Sequence, residues 1–90
     1  MIRPRILGME GKMNHQNIWN AIEMFARDHD LTCSGLARKG GLDATTFNPS
    51  KRYSKEGQPR WPSTQSIAKF LAATGKTFSD FTRYLAEKTA

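Results

Sequence analysis

Apolar residues recur at intervals of three and four positions near the start of the chain. They are Ile18, Trp19, Ile22, Phe25 and Ala26. This spacing places the side chains on one face of an α-helix. Asn14 precedes the run, and its side-chain oxygen can cap a helix N-terminus. The pattern predicts a first helix from Asn14 to about Asp28–Asp30.

The same spacing returns twice in the last third of the chain. Ser63 and Thr77 are cap residues at the two starts, and Gly75 ends the first of these helices. Asp80 stands three residues after Thr77, as a short variant of the capping box. The predicted inward positions are Ile67, Phe70 and Leu71 in one helix, and Phe78, Phe81, Tyr84 and Leu85 in the other.

Two shorter helices are predicted in between. Thr32 caps a helix whose Leu36 and Ala37 point inward, and Gly40 with Gly41 stops it because glycine adopts a positive φ without steric cost. Residues 44–48 then form another short helix after the cap Asp43, with Phe47 inward. Pro49 disfavours helical geometry at the residue before it, so this helix is brief or distorted at its end.

No segment alternates between apolar and polar residues with a period of two, which argues against strands. The expected fold class is therefore all-α, with five helices in one bundle. Residues 1–12 mix proline, glycine and charge without periodicity and are expected to be a flexible N-terminal arm. Residues 13–90 form the single domain.

Charge adds a candidate partner. The 90 residues carry 14 Lys and Arg against 8 Asp and Glu, a net charge of +6. Residues 38–60 alone hold six basic and two acidic side chains, whereas residues 13–37 hold one and three. A basic cluster of this kind favours a polyanionic partner such as nucleic acid.

The sequence lacks the residues that several classes of function require. Cys33 is the single cysteine and has no neighbouring base, and the widely spaced His15 and His29, which we expect to be solvated, provide no metal set. No paired carboxylates or nucleophile with its base appear, so we expect no enzyme, cofactor, metal or small-molecule ligand. No apolar run is long enough for a membrane or a signal peptide, and a cytoplasmic location is expected.

Residues 31–48 match what a helix-turn-helix requires. Ala37 is small where two helices would cross closely, glycine makes the sharp turn, and Leu42 with Phe47 would fix the second helix on the core. One face of that second helix stays exposed. Its residues are short and polar or methyl-bearing, which suits contact with base edges in a major groove: Ala44, Thr45, Thr46 and Asn48.

A longer series of residues resembles a known family. It consists of Gly35-Leu36-Ala37-Arg38, Gly41-Leu42-Asp43, Thr45-Thr46-Phe47-Asn48, Ser50-Lys51-Arg52 and Arg60-Trp61-Pro62-Ser63. It resembles phage-repressor-like helix-turn-helix domains of the Xre/Cro type, and most closely the N-terminal domain of bacterial repressors with a self-cleaving serine peptidase domain. The resemblance implies a five-helix, lambda-repressor-like bundle and sequence-specific binding of double-stranded DNA by a transcriptional repressor.

Site residues follow from this resemblance and from position. The family's base-reading face falls on Ala44, Thr45 and Asn48. The expected phosphate contacts are exposed polar or basic residues around that face: Ser34, Arg38, Thr46, Ser50, Lys51, Arg52, Lys55 and Arg60. For Ser34 a plain capping role competes, and the basic residues after position 49 can also be a solvated loop. Trp61 either stacks on sugar or base, or packs as a lid on the bundle.

The expected assembly is two copies on an operator of two half-sites, one helical turn apart. The resemblance also implies a C-terminal peptidase domain with a Ser-Lys pair, which this sequence does not contain. An isolated DNA-binding fragment and a naturally short regulator both stay open. A different class also stays open: a helical protein-interaction module, antitoxin-like or an adaptor, whose basic loop binds an acidic protein.

Overall fold

The computed structural model describes residues 14–85. These residues form four α-helices: α1 His15–Asp28, α2 Cys33–Lys39, α3 Thr64–Thr74 and α4 Phe78–Arg83. A short 3-10 helix, Pro49–Lys51, lies between α2 and α3. Within this part of the chain the one β-type contact is an isolated bridge between Tyr53 and Pro59. The all-α class is confirmed, whereas the arm expected at residues 1–12 lies outside the described residues.

Four of the five predicted N-caps form at helix starts, and the fifth, Asp43, lies in a turn instead. Asn14, Thr32 and Ser63 each accept a hydrogen bond from the backbone N–H three residues later, at 2.8, 3.0 and 3.0 Å. At α4, Thr77 and Asp80 form the reciprocal capping box. These bonds satisfy amides that the first turn of a helix leaves without a partner, so the helix starts are fixed by local sequence.

α2 ends in a Schellman motif. The amide of Leu42 donates to the carbonyl of Ala37 at 2.8 Å, and that of Gly41 donates to Arg38 at 2.9 Å. Gly41 has a φ of 76°, the left-handed conformation that this motif needs and that glycine adopts without strain. The motif turns the chain sharply and brings Leu42 back against the core.

One core unites the four helices. Phe25 of α1 is fully buried, and its ring centroid lies 5.1 Å from that of Phe70 in α3 and 6.3 Å from that of Phe81 in α4. Leu36 and Ala37 of α2 are also fully buried. In the described residues, no helix combines the length and the apolar content that crossing a membrane demands.

The structure corrects the helix expected over residues 44–48. Residues 44–47 form consecutive turns, in which Thr46 N–H donates to Asp43 and Asn48 N–H donates to Thr45, both three residues back. Asn48 is extended, with a ψ of 152°, because Pro49 follows it. With Phe47 as the only large apolar side chain, the segment has no stripe to bury, and five α-helices become four.

Three side chains also differ from expectation. Phe78, predicted to be inward, is 46% exposed at the first position of α4. His15 and His29 are partly buried and bonded rather than solvated. His29 stacks on Phe25 at 4.3 Å between ring centroids, and its Nδ1 lies 2.8 Å from the Phe25 carbonyl oxygen.

Candidate nucleic-acid interface

A groove of about 380 Å³ lies between the turns after α2 and the start of α3. It brings together four of the predicted site residues, Thr45, Thr46, Lys51 and Arg60. The rest of its lining comes from α1, the turns and the start of α3: Trp19, Asp43, Phe47, Trp61, Pro62, Ser63 and Ser66. Residues far apart in sequence thus share one surface, where short hydroxyl side chains adjoin two exposed cations.

Asp43 organises the turn that carries the two threonines. Its Oδ1 accepts hydrogen bonds from the Thr45 amide at 2.8 Å and from the Thr45 hydroxyl at 2.6 Å. The Thr46 hydroxyl donates to the Asp43 backbone carbonyl at 2.6 Å. The side-chain and backbone bonds from Thr45 lower the pKa of the Asp43 carboxyl, with a further contribution from the charge of Lys51. Asp43 is therefore an ionised acceptor that fixes both threonine side chains.

Phe47 fastens this turn to the core. It is fully buried, and its ring makes edge contacts with Trp19 at 6.4 Å and with Phe70 at 5.5 Å between centroids. Thr45, two residues away, is exposed. Phe47 is thus buried while nearby Thr45 faces solvent. Because Phe47 is fixed in the core, the exposed Thr45 side chain has a defined position without a helix.

Arg52 occupies a different place from the other basic residues. Its side chain is 13% exposed and forms an ion pair with Glu23 at 2.7 Å. Its Nη2 donates to the Phe47 carbonyl at 3.1 Å, and the guanidinium carbon lies 5.0 Å from the centre of the Trp19 ring. The Arg52 guanidinium therefore faces the protein interior and not solvent. Arg52 is removed from the candidate phosphate contacts, and its contacts stabilise the turn instead.

The other predicted site residues lie outside the groove lining. Arg38, Ser50 and Lys55 are exposed, on α2, in the 3-10 helix and in the following loop, while Ser34 is partly buried in the first turn of α2. Ala44 and Asn48 are partly buried on either side of Thr45 and Phe47. Asn48 makes no side-chain bond that caps the 3-10 helix, so its amide is not used there.

The start of α3 is the part of this surface that sequence reasoning missed. Ser63 was predicted only as a cap, yet it and Ser66 line the groove, and the first turn of α3 carries no acidic residue. A helix N-terminus presents partial positive charge and favours anions. The available signal was the position of Ser63 directly after Arg60 and Trp61, which links the cap to the basic loop.

Features of a metal or thiol centre are not assembled in residues 14–85. No three His, Cys, Asp or Glu side chains there converge on a metal position. Burial raises the pKa of the Cys33 thiol, and the negative charge of Glu23 raises it further. A thiol in this setting stays protonated near neutral pH.

Comparison of the chain with protein families, with curated proteins and with solved structures finds no match. The family resemblance therefore depends on the sequence pattern of residues 35–63 alone, and the candidate function depends on the groove.

Proposed function

We propose that the chain is a sequence-specific, double-stranded DNA-binding transcriptional regulator of the helix-turn-helix type, and that it acts as a repressor. In this proposal α2 is the supporting helix, and residues 43–48 take the place of the recognition helix in a shortened form. Two copies would bind two half-sites and exclude polymerase from the DNA that they cover. The role is one of binding, without catalysis.

The observation that carries the proposal is the composition of the groove. Thr45 is exposed and held by Asp43, and Lys51 and Arg60 line the same surface. Binding to duplex DNA needs cations for phosphates and short polar side chains for base edges. The groove supplies both on a turn that is fixed to the core.

The hydrogen bond of Thr45 limits which groups on the bases Thr45 can contact. A hydroxyl has one hydrogen to donate, and that of Thr45 is directed at Asp43 over 2.6 Å. Toward DNA the oxygen would accept, and the side-chain methyl group stays available for apolar contact. Amino groups of adenine and cytosine are the donors in a major groove, and the thymine methyl is its apolar group. These groups are the proposed targets of Thr45.

Lys51 and Arg60 would neutralise phosphates beside the bases that Thr45 contacts. Asp43 lies in the same groove and would repel a phosphate that approached it closely. The two Thr45 bonds and the nearby charge of Lys51 partly offset this carboxylate, and the start of α3 adds partial positive charge that favours an anion.

Selection of bound duplexes from a random pool tests the proposal. A sequence-specific regulator should enrich one motif, with half-sites about 34 Å apart if two copies bind together. Affinity for that duplex should fall steeply with salt, with a slope of about 0.9 in log–log form for each phosphate neutralised. Failure to enrich any motif, with binding that does not change between low and moderate salt, would refute the proposal and favour a protein partner.

A further inference from the structure

Two large aromatic side chains outside the core, Tyr53 and Trp61, are half exposed, at 50% and 51%. They stand at the two ends of a tight hairpin, residues 52–61, that follows the 3-10 helix. An exposed aromatic side chain that is held in place is a suitable anchor for a partner. The hairpin has no role in the base contacts proposed above, except that Trp61 and Arg60 also line the groove.

The hairpin is internally bonded. The Arg60 amide donates to the Arg52 carbonyl at 2.8 Å, and the Ser54 amide donates to the Gln58 carbonyl at 2.8 Å. At the tip, the Ser54 hydroxyl oxygen accepts from the amides of Glu56 and Gln58 at 3.2 and 3.1 Å. These bonds fix the backbone, so less conformational entropy is lost when the hairpin contacts a partner.

α1 holds the base of this hairpin through His15. Its Nε2 lies 2.8 Å from the Arg52 carbonyl oxygen and 3.1 Å from that of Arg60. Carbonyl oxygens only accept, so Nε2 carries a hydrogen and donates to them. The N–H of Trp19 then donates to the Arg60 carbonyl, at 3.0 Å, rather than to His15. Both arms of the hairpin are thereby hydrogen-bonded to α1.

The His15 ring also supports the two exposed aromatics. Its centroid lies 4.8 Å from that of Tyr53 and 6.1 Å from that of Trp61. The three rings form a continuous row that starts at the groove, since Trp61 is part of its lining. We name Tyr53, His15 and Trp61 the aromatic row.

Charge indicates what the aromatic row would contact. Lys51, Lys55 and Arg60 are exposed around the hairpin, and Glu56 is its one acidic residue. The partner should therefore be anionic and also offer apolar faces. A DNA strand provides both, as phosphates alternating with deoxyribose rings. In a duplex the bases are stacked inside, so the sugar is the apolar face that a side chain can reach from the backbone.

We propose that the aromatic row is a second DNA-contacting surface, on which Tyr53 and Trp61 pack against deoxyribose of the strand flanking the base-reading contacts. The inference depends on the proposed function, because it extends the DNA path from the groove along the hairpin. The proposed contact does not depend on base sequence, and it fixes the register of the duplex on the protein.

Modified duplexes distinguish sugar contact from base or phosphate contact. The probe is the duplex enriched from the random pool, with three nucleotides next to the motif altered on each strand in turn. Abasic nucleotides keep the sugar and phosphate and remove the base. Propanediol phosphate spacers keep the phosphate and remove both sugar and base. Dissociation constants are measured for each duplex at one salt concentration.

On one strand, the spacers should weaken binding about tenfold, while abasic nucleotides should leave affinity within about twofold of the intact duplex. The Tyr53→Ser, Trp61→Ser double variant should bind intact and spacer duplexes alike, with the lower affinity. Phe78→Ser is the matched control, because it removes an aromatic side chain of similar exposure from α4, and it should behave like the unaltered protein. Thermal melting of each variant checks that the fold is kept.

Three outcomes would overturn the inference. If the unaltered protein binds intact and spacer duplexes equally, the aromatic row does not contact sugar, and the proposed function still stands. If abasic nucleotides weaken binding as much as spacers, the contact is to bases. If no duplex is bound, both the inference and the proposed function fail. Iodide quenching gives a second readout: half-exposed Trp61 should be protected by the intact duplex, whereas Trp19, 2% exposed, contributes a constant signal.

Discussion

The four helices and the segment between α2 and α3 achieve a defined structure in different ways. All but one of the fully buried side chains belong to the helices, and the exception is Phe47. Apart from the partly buried Leu42, residues 41–62 otherwise depend on polar bonds: the Asp43 turn, the Arg52–Glu23 ion pair and the His15 contacts to the hairpin. The helical body supplies stability, and the segment that carries the groove is positioned by a few bonds to α1.

This difference shows how a small protein can display exposed polar and aromatic side chains without losing their position. Burial is nonspecific in direction, so a core alone would leave a segment of short polar residues mobile. Hydrogen bonds and ion pairs have a preferred geometry and can fix such a segment at one anchor point. Phe47 is the anchor point in this segment. Arg52 donates to the Phe47 carbonyl and forms an ion pair with Glu23 of α1.

The largest expected effect comes from removing Phe47, the fully buried side chain of the segment. Phe47→Ala should lower the free energy of unfolding by about 3 to 5 kcal/mol, because it leaves a cavity between Trp19 and Phe70. Phe78→Ala removes the same side chain from a half-exposed site and should change the free energy of unfolding far less. Urea denaturation of both variants measures the difference. Equal losses would mean that the segment is not held through its one buried residue.

An intermediate effect is expected from the polar tie. Glu23→Gln should lower the free energy of unfolding by about 1 kcal/mol, since Arg52 keeps its bond to the Phe47 carbonyl but loses its charged partner. Glu56→Gln is the matched control, because it removes the same charge from an exposed position in the hairpin. Amide hydrogen exchange should also accelerate in residues 44–60 more than in α3. Identical behaviour of the two variants would mean that the Arg52–Glu23 ion pair does not hold the segment.

The two regions were also unequally predictable from sequence. The periodic positions Ile18, Ile22 and Phe25 predicted α1, and each of the four caps is a local signal that the structure confirms. Such signals involve residues within one or two turns of each other, so no knowledge of the fold is needed. In the groove, only Thr45 and Lys51 could be predicted from local sequence, because they follow α2 closely.

Features that depend on distant residues were missed. Nothing near Arg52 in sequence shows that it pairs with Glu23, which lies 29 residues away in α1. His15 lies 37 and 45 residues from the carbonyls that it contacts. Residues 44–48 were predicted as a helix from a cap and one inward residue, and the geometry imposed by Pro49 prevailed instead. Composition suggested a basic surface but not which cations face outward.

Three single substitutions separate base contacts from phosphate contacts in the groove. Thr45→Val keeps the shape and methyl group but removes the hydroxyl, and Lys51→Gln removes one cation from the same surface. Lys76→Gln is the charge-matched control, because Lys76 lines a separate groove with Phe25 and Tyr84. The measurement is the dissociation constant of each variant on the selected duplex and on a scrambled one, over a range of salt concentrations.

Thr45→Val should reduce preference for the selected duplex by about 1 to 3 kcal/mol and leave affinity for the scrambled duplex unchanged. Lys51→Gln should weaken binding to both duplexes equally and reduce the salt slope by about one unit, and Lys76→Gln should do neither. The contrary result is full discrimination by Thr45→Val together with a changed sequence preference in Lys51→Gln, which would move base recognition away from the Asp43 turn.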